Sequence, residues 1–566
     1  MASPTGVLGV IEEKEVPVVV RDGTTLRANI FRPDAPGQFP AIVIRTPYGK
    51  AGLSQQIMTL VRAGFVVMSQ DTRGRHGSDG KYIPYTVENT GDAEDGYDTI
   101  EWMADREYCD GSVGVHGVSY PGWMSWQTAS TQPPHLKGLC ACSIPQENYE
   151  VDWPGAFKPA RRIKWWLTTI APDLRRRAGW PPPHDKVKAR EFFDEYESGK
   201  WMSLVPWIDI VKYLPPGLAE YAEDWLKHPD RRSWKLDEIY PQIQVPNLDF
   251  SGWYDHCGGT MQHLRGMQQD GGTQIAREQS KLILGPWKHA GNAPRKTGEV
   301  DFGPQAELDR TDLMIQWFDH WLKDIDNDVE DWPAVQYFVM GSRRWKPEET
   351  WPPQDRPKRE YYLSSNGRAN PVEDSGFLGA GPGGEEPDTY RYDPRDPVPT
   401  LWTPAFFTVP PNRRKLEHRR DILYYRTEPL QEDVEIVGYP EVILYAATSA
   451  KDTDFFVRLV DERPDDIALE VCYGMVRARH RKSIHQTDFI EPGEVTEYHI
   501  QLGATACRFK TGHRIRLEIT SSDFPNHDRN HNTGGNDLME TEMVPATQRI
   551  FHSEEYPSRL IVDLNE

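Results

Sequence analysis

At 566 residues the chain exceeds an ordinary single domain and argues for two to four units of roughly 100–200 residues each. With 38% hydrophobic and 27% charged residues it has ample material for packed cores and none of the bias of a disordered chain. A formal net charge of −21 argues against nucleic-acid and anionic-membrane partners, and no apolar run is long enough to span a bilayer.

The segment Met1 to Lys14 has no basic start followed by an apolar stretch, so no signal peptide is expected and the protein is placed in the cytoplasm. The next 130 or so residues alternate apolar strands with helical patterns, the mark of a mainly parallel sheet covered by helices. Val18–Val20 and Thr25–Phe31 read as a hairpin around Arg21-Asp22-Gly23. Ala41–Arg45 and Gly64–Ser69 read as buried strands. Asp92–Arg106 reads as a helix with Ala93, Tyr97, Ile100 and Ala104 on its apolar face. Val113–His116 and Gly138–Ile144 are the next strands.

From Gln146 to Gln242 the pattern turns helical and proline-punctuated. It holds eight of the 19 tryptophans (Trp153, Trp165, Trp166, Trp180, Trp201, Trp207, Trp225 and Trp234), as an inserted cap would. Sheet signals resume at Val245–Gly252 and Lys281–Gly285, and Asp312–Leu322 is an amphipathic helix that closes the domain. Beyond Asn327 the segments Val335–Met340, Glu360–Ser364, Val437–Ala446, Asp454–Asp461, Leu469–Ala478, Thr496–Leu502 and Arg514–Ser521 are short and β-like. They predict a β-sandwich with a surface loop at Gly367–Glu386. The expected organisation is an α/β domain at 1–145 and 243–327, a helical cap at 146–242 and an all-β domain at 328–566.

A serine hydroxyl becomes a useful nucleophile only with a positioned base, an orienting acid and an oxyanion hole. Ser119 lies between a strand and a helix in Gly117-Val118-Ser119-Tyr120-Pro121-Gly122, a turn whose flanking positions must be small. The ordinary short form of this motif would put its second glycine at 121, where this chain has Pro121. Such a turn points to the α/β-hydrolase fold, which requires the order serine, acid, histidine. Asp255 and His289 meet it, each just past the carboxyl end of a predicted strand, where open α/β sheets build their sites. His256 is the competitor of His289, but it follows no strand of its own.

Gly117–Gly122, Gly252-Trp253-Tyr254-Asp255 and Gly285-Pro286-Trp287-Lys288-His289 resemble blocks of the cocaine esterase family. That family is related to the X-prolyl dipeptidyl-peptidases and α-amino acid ester hydrolases. Arg45-Thr46-Pro47-Tyr48, Asp71–Gly80, Trp317–Leu322 and Phe524-Pro525-Asn526 extend the resemblance nearly end to end. It implies a cap inserted after the sixth strand and a C-terminal jelly roll. It also implies an oxyanion hole made by the Tyr48 hydroxyl and the Tyr120 N–H.

The function expected is hydrolysis of carboxylic esters through an acyl-enzyme on Ser119, with His289 as base and Asp255 as its orienting acid. Amidase, acylase, peptidase and acyltransferase chemistry are alternatives on the same triad, and a silent jelly-roll binding protein is a more distant one. Cap aromatics, chiefly Trp153, Trp165 and Trp166, with His256 and Cys257, are expected to line the substrate pocket and to favour a bulky or aromatic group. No metal or organic cofactor is called for. The partner is a small-molecule ester or amide, and the resemblance leaves room for a homo-oligomer. The scattered Cys109, Cys140, Cys142, Cys257, Cys472 and Cys507 read as free thiols. In the cap, Lys158, Arg161, Arg162, Lys164 and Arg175–Arg177 form a basic run opposed locally only by Asp173. It reads either as a helix face paired with distant acids or as a contact for a substrate carboxylate.

Overall fold

The computed structural model describes residues 9–52, 54–85, 92–193, 200–228, 234–401 and 410–565. The reading of the amino-terminal segment rests in part on residues 1–8, outside that set. Strands β1 (Gly9–Val19) and β2 (Thr25–Asp34) form the expected hairpin. β3 (Phe39–Thr46), β4 (Val66–Asp71), β5 (Cys109–Val118) and β6 (Leu136–Cys142) follow, and their order across the sheet is β1-β2-β4-β3-β5-β6. β7 (Leu248–Tyr254) joins β6 through a parallel bridge between Leu139 and Asn247, and β8 (Lys281–Lys288) pairs parallel with β7. β4 and β7 are buried at every residue, as strands covered on both faces must be.

Side-chain alternation sorts the two faces. Ala41, Val43, Val66 and Met68 pack with Trp123 and Trp126 of α3 (Tyr120–Ser130). Ile42 and Val67 pack on the opposite side with α1 (Gln55–Arg62) and with Trp317 and Phe318 of α4 (Arg310–Lys323). Helix α2 (Asp92–Ala104) stands where expected, but its buried face is Asp92, Asp95, Gly96, Thr99, Ile100 and Met103. Ala93, Tyr97 and Ala104 are only partly covered. Polar residues occupy this face because Asp95 pairs with Arg73 at 2.7 Å and because α2 crosses α3 closely. A Cβ at Gly96 would lie 2.0 Å from the Thr128 hydroxyl.

The segment between β6 and β7 is helical. Its Ala160–Lys164, Ala171–Arg177 and Leu218–Lys227 helices enclose a core of Ile163, Trp166, Leu167, Ile170, Trp225 and Leu226. Beyond α4 the chain is β-rich. Val434–Thr448 pairs on one side with Thr496–Gln501 and Thr505–Phe509, and on the other with Ala546–Phe551 and Arg559–Leu564. The strands and their core complete the all-β jelly roll.

Two further details differ from expectation. Val335–Val339, expected in the sandwich, pairs parallel with β8, and Arg344–Glu348 pairs with it in turn, so both extend the hydrolase sheet. The reason is the open edge of β8, whose backbone groups need partners. The loop Gly367–Glu386 contains a short strand, Gly376–Gly379, that bridges Lys358–Ser364 and Leu423–Arg426.

The sandwich also buries charge. Arg413 and Arg516 both reach Glu518, at 2.8 and 2.7 Å, and Arg458 spans Glu470 and Asp523 at 2.9 and 3.0 Å. Burial alone would raise the Glu518 pKa, but Arg413 and Arg516 hold it below the usual carboxylate range. Removing one partner of such a cluster leaves buried charge uncompensated. Glu518→Gln is therefore expected to destabilise the protein by about 3–5 kcal/mol, read as a lower denaturant midpoint of the β-domain's unfolding transition. An unchanged midpoint would contradict it.

Candidate active site

Ser119 stands at the junction of β5 and α3 with φ 66° and ψ −129°. That backbone is disfavoured for a residue with a side chain and persists only where its surroundings hold it. Here the Ser119 N–H donates to the Cys142 carbonyl at 3.0 Å, and the Trp123 N–H donates to the Ser119 carbonyl at 3.0 Å. The two glycines of the motif meet different obstacles. A Cβ at Gly117 would lie 2.2 Å from the Pro121 carbonyl group, and one at Gly122 would lie 2.8 Å from the Cys142 oxygen. Gly122 therefore faces the neighbouring strand β6 one position later than in the short motif, and Pro121 occupies the first turn of α3.

Asp255 follows β7 and His289 follows β8. The His289 Nδ1 lies 2.9 Å from Asp255 Oδ1, which also accepts from the Cys257 N–H at 2.8 Å. His256 sits 4.0 Å from the same oxygen, too far for a hydrogen bond, with its ring 4.3 Å from that of His289. Burial raises the Asp255 pKa, but the His289 ring and the Cys257 N–H outweigh it and hold the carboxyl below its usual range. Burial, then His289 and Arg161, drives His256 well below the ordinary histidine value, so its ring is neutral. One close approach and one hydrogen bond align these strand ends. A Cβ at Gly252 would lie 2.1 Å from the Trp287 oxygen, and the Trp287 indole donates to Ala306 at 2.9 Å. Arg310 of α4 donates to the Ala290 carbonyl at 2.8 Å beyond His289.

Ser119, His289, Tyr48, His256 and Trp165 line one cavity of about 310 Å³ beneath the cap. The Trp165 indole donates to the Tyr48 hydroxyl oxygen at 3.3 Å, which leaves the phenol proton to be donated elsewhere. Burial keeps that phenol protonated by raising its pKa. Tyr120 opens α3, where first-turn N–H groups have no intrahelical partner. Its ring is buried and stacks on Tyr85 at 4.1 Å, and its hydroxyl accepts from the Tyr85 N–H at 2.8 Å.

Three expected pocket residues stand elsewhere. Trp166 is fully buried in the cap core against Trp225, because neighbouring positions on a helix point in different directions. Trp153 packs on Tyr149 and His480, toward the jelly roll. Cys257 turns its backbone to Asp255, and burial pushes its thiol well above the usual range, which rules against a second nucleophile. Sequence reasoning missed Tyr85, Lys186 and Arg190 as lining residues. Lys186 and Arg190 stand four residues apart on the helix Lys186–Phe192, a spacing that puts them on one face.

Asp255, His256, Cys257 and His289 also bring four ligand-type atoms within 4.8 Å of one another. The Asp255–His289 hydrogen bond and the protonated thiol suit proton transfer better than metal binding, which needs a thiolate at Cys257. The charge- and glycine-rich Asp71–Gly80 segment is stapled rather than open. Asp71 pairs with Lys50 at 2.8 Å, Arg73 pairs with Asp95 and Asp22, and the Gly74 N–H donates to the Asp79 carbonyl.

With this geometry in view, the likeness to known proteins falls into place. Cocaine esterase of Rhodococcus sp. (strain MB1 Bresler) is 33% identical over 97% of this chain and 98% of its own length. The chain belongs to the cocaine esterase family of serine hydrolases. Residues 22–291 match the X-Pro dipeptidyl-peptidase (S15) family, and 327–561 match the X-Pro dipeptidyl-peptidase C-terminal non-catalytic domain. A putative serine esterase of Mycobacterium bovis is 23% identical over 89% of this chain and 90% of its own. Among solved structures, an α-amino acid ester hydrolase superposes with a TM-score of 0.81 at 23% identity. It covers 100% of this chain and 98% of its own, a likeness of fold. Within this family the protein is an enzyme with serine-based catalysis and an α/β-hydrolase fold. Among the described residues, no helix is long and apolar enough to cross a membrane. The six cysteines are all buried and unpaired.

The two glycine contacts make an ordered expectation. Gly117→Ala meets backbone at 2.2 Å, where nothing can move aside, and is expected to lower the thermal midpoint more than Gly122→Ala at 2.8 Å. Each is an overpacking change of about 1–3 kcal/mol or more. Thermal melts of both variants beside the parent check the order, and a reversed order would refute the assignment of these contacts.

Proposed function

We propose that the protein hydrolyses carboxylic esters through an acyl-enzyme intermediate on Ser119. The observation that carries the reading is the 2.9 Å Asp255–His289 hydrogen bond at the wall of the cavity that Ser119 and Tyr48 share. With its Nδ1–H donated to Asp255, the imidazole offers Nε2 as the base. Ser119 Oγ attacks the ester carbonyl and His289 takes its proton. The carbonyl oxygen becomes an oxyanion and receives the Tyr48 O–H and the Tyr120 N–H. His289 then returns the proton to the departing alcohol. A water follows the same path in reverse and releases the acid. Asp255 stays ionised throughout and stabilises the imidazolium.

Amide cleavage would call on the same groups. The esterase character of the 33%-identical relative favours esters. The aromatic walls supplied by Tyr85 and Trp165 support a bulky or aromatic group on the substrate.

Labelling by a fluorophosphonate is expected in the parent and absent in Ser119→Ala. Asp255→Asn is expected to lower kcat by about 10⁴, through loss of the acceptor that sets the His289 tautomer. Tyr48→Phe is expected to lower kcat by about 10²–10³ with little change in KM, since its hydroxyl acts in the transition state. Steady-state kinetics on p-nitrophenyl esters measures both. A Tyr48→Phe variant with parental kcat would remove Tyr48 from the oxyanion hole.

A further inference from the structure

The cap's basic run divides in two. Lys158 pairs with Asp528 at 3.4 Å, Arg176 pairs with Asp173 at 2.7 Å, Arg175 donates to the Tyr213 and Pro181 carbonyls, and Arg177 donates to the His76 carbonyl at 3.1 Å. These four hold the cap in place. Arg161, Arg162 and Lys164 instead line the Ser119 cavity, where Lys186 and Arg190 join them from the helix Lys186–Phe192. The described residues of that lining thus include five cations and no carboxylate, in a protein with a net charge of −21.

Charge is segregated around the two histidines. A second cavity of about 470 Å³, on the far side of Asp255 and His256, is lined by Glu147, Glu150 and Glu470. The Ser119 side holds only positive charge among its described lining residues. Arg161 is 8% exposed, and its Nη2 donates to the Val151 carbonyl while its Nε has no hydrogen-bond partner among the described residues. The carboxylate that acts on Arg161 is Asp255, already committed to His289. Lys186 gives one of its three protons to the Tyr48 carbonyl at 3.0 Å, and among the described residues the charges that act on it, Arg75 and Arg190, both repel it. Like charges gathered around a partly buried cavity are unfavourable until an anion enters it.

We propose that this cavity selects esters carrying a free carboxylate, which Arg161, Lys186 and Arg190 receive a few bonds away from the carbonyl attacked by Ser119. The inference deepens the ester-hydrolase reading and rests on it. Arginine forks suit a carboxylate because two parallel N–H donors match its two oxygens. Lys186 lies 5.1 Å from the centre of the Tyr48 ring, so the anion site is beside the oxyanion hole and not within it. A cavity of about 310 Å³ admits a short dicarboxylate half-ester or one carboxylated ring. The carboxylate adds ground-state binding, so its effect belongs mainly in KM.

The test is a ratio measured within one enzyme, so that loss of folded protein cancels. Two substrate pairs serve: the p-nitrophenyl half-ester of glutaric acid against its methyl-capped neutral analogue, and 4-carboxyphenyl butyrate against 4-(methoxycarbonyl)phenyl butyrate. For at least one pair, kcat/KM is expected to favour the anion by about tenfold or more at low salt, and the advantage is expected to shrink as salt rises. The exposed Arg190→Gln variant is expected to cut that ratio by about fivefold, and Arg190→Lys to retain most of it. Turnover of the neutral esters with no preference for either anion would overturn the inference and leave the ester reading standing. A preference untouched by Arg190→Gln would overturn the role given to that residue. No turnover of any ester, together with no fluorophosphonate labelling, would remove the reading beneath it.

Discussion

The backbone at Ser119 is the constraint on which the site depends. A serine at φ 66° stores strain of about 1–3 kcal/mol, and it is held there by structure on three sides. β6 supplies the Cys142 carbonyl, α3 supplies the Trp123 N–H, and Gly117 admits the Pro121 carbonyl that a side chain would expel. Trp123 and Trp126, fully buried on the sheet, fix α3 in the position that makes these contacts simultaneous. Strand order follows the same logic, because the serine can be exposed at the sheet's end only if β6 lies directly beside β5.

The cap and the jelly roll do for the cavity what the β5–α3 turn does for Ser119. Arg75 donates to Pro47 from the hydrolase domain and to Ile170 in the cap, so it ties the Tyr48 turn to the cap's floor. The cap is pinned in turn to the jelly roll, where the Ala160 N–H donates to the Asn526 carbonyl and the Lys158 N–H to Asp528. Cap and hydrolase domain therefore meet at one small volume, and the jelly roll braces the cap from outside it. Trp165 and cations from the cap face a serine and two histidines from the sheet, a low-dielectric setting in which each charge acts strongly.

Much of this was legible in the chain. Ser119, Asp255 and His289 could be placed because each sits at the end of an apolar strand run, and the order of three such runs is hard to satisfy by chance. The same strand-end rule ranks His289 above His256, and their Nδ1 atoms lie 2.9 and 4.0 Å from Asp255 Oδ1. The cap wall was harder. Trp165 and Trp166 are adjacent, and the segment Trp165–Ile170 winds as a π-helix, so ordinary helical spacing does not say which indole faces the cavity. Cys257 acts through its N–H, a role that leaves no mark on residue type. Lys186 and Arg190 lie some 25 residues beyond Arg161, and only tertiary packing brings the two helices to one cavity. The α2 face was misjudged for a related reason: Asp95 and Gly96 are buried by what they meet, Arg73 and Thr128, and not by being apolar.

The pairing of Val335–Val339 with β8 bears on how such a protein can be inherited. This strand belongs to the stretch that matches the C-terminal non-catalytic domain, yet its hydrogen bonds complete the sheet whose last catalytic-domain strand leads into His289. The frontier between the two sequence families, near residue 327, therefore does not coincide with the edge of the sheet, which continues through Arg344–Glu348. A recombination event at that frontier would join one lineage's β8 to another lineage's neighbouring strand, and the Gly252–Trp287 contact would be stacked against a foreign edge. The catalytic and β-rich parts are separate in name only. They are held to co-descent by a shared ladder of backbone hydrogen bonds, and a viable exchange would have to cut beyond it.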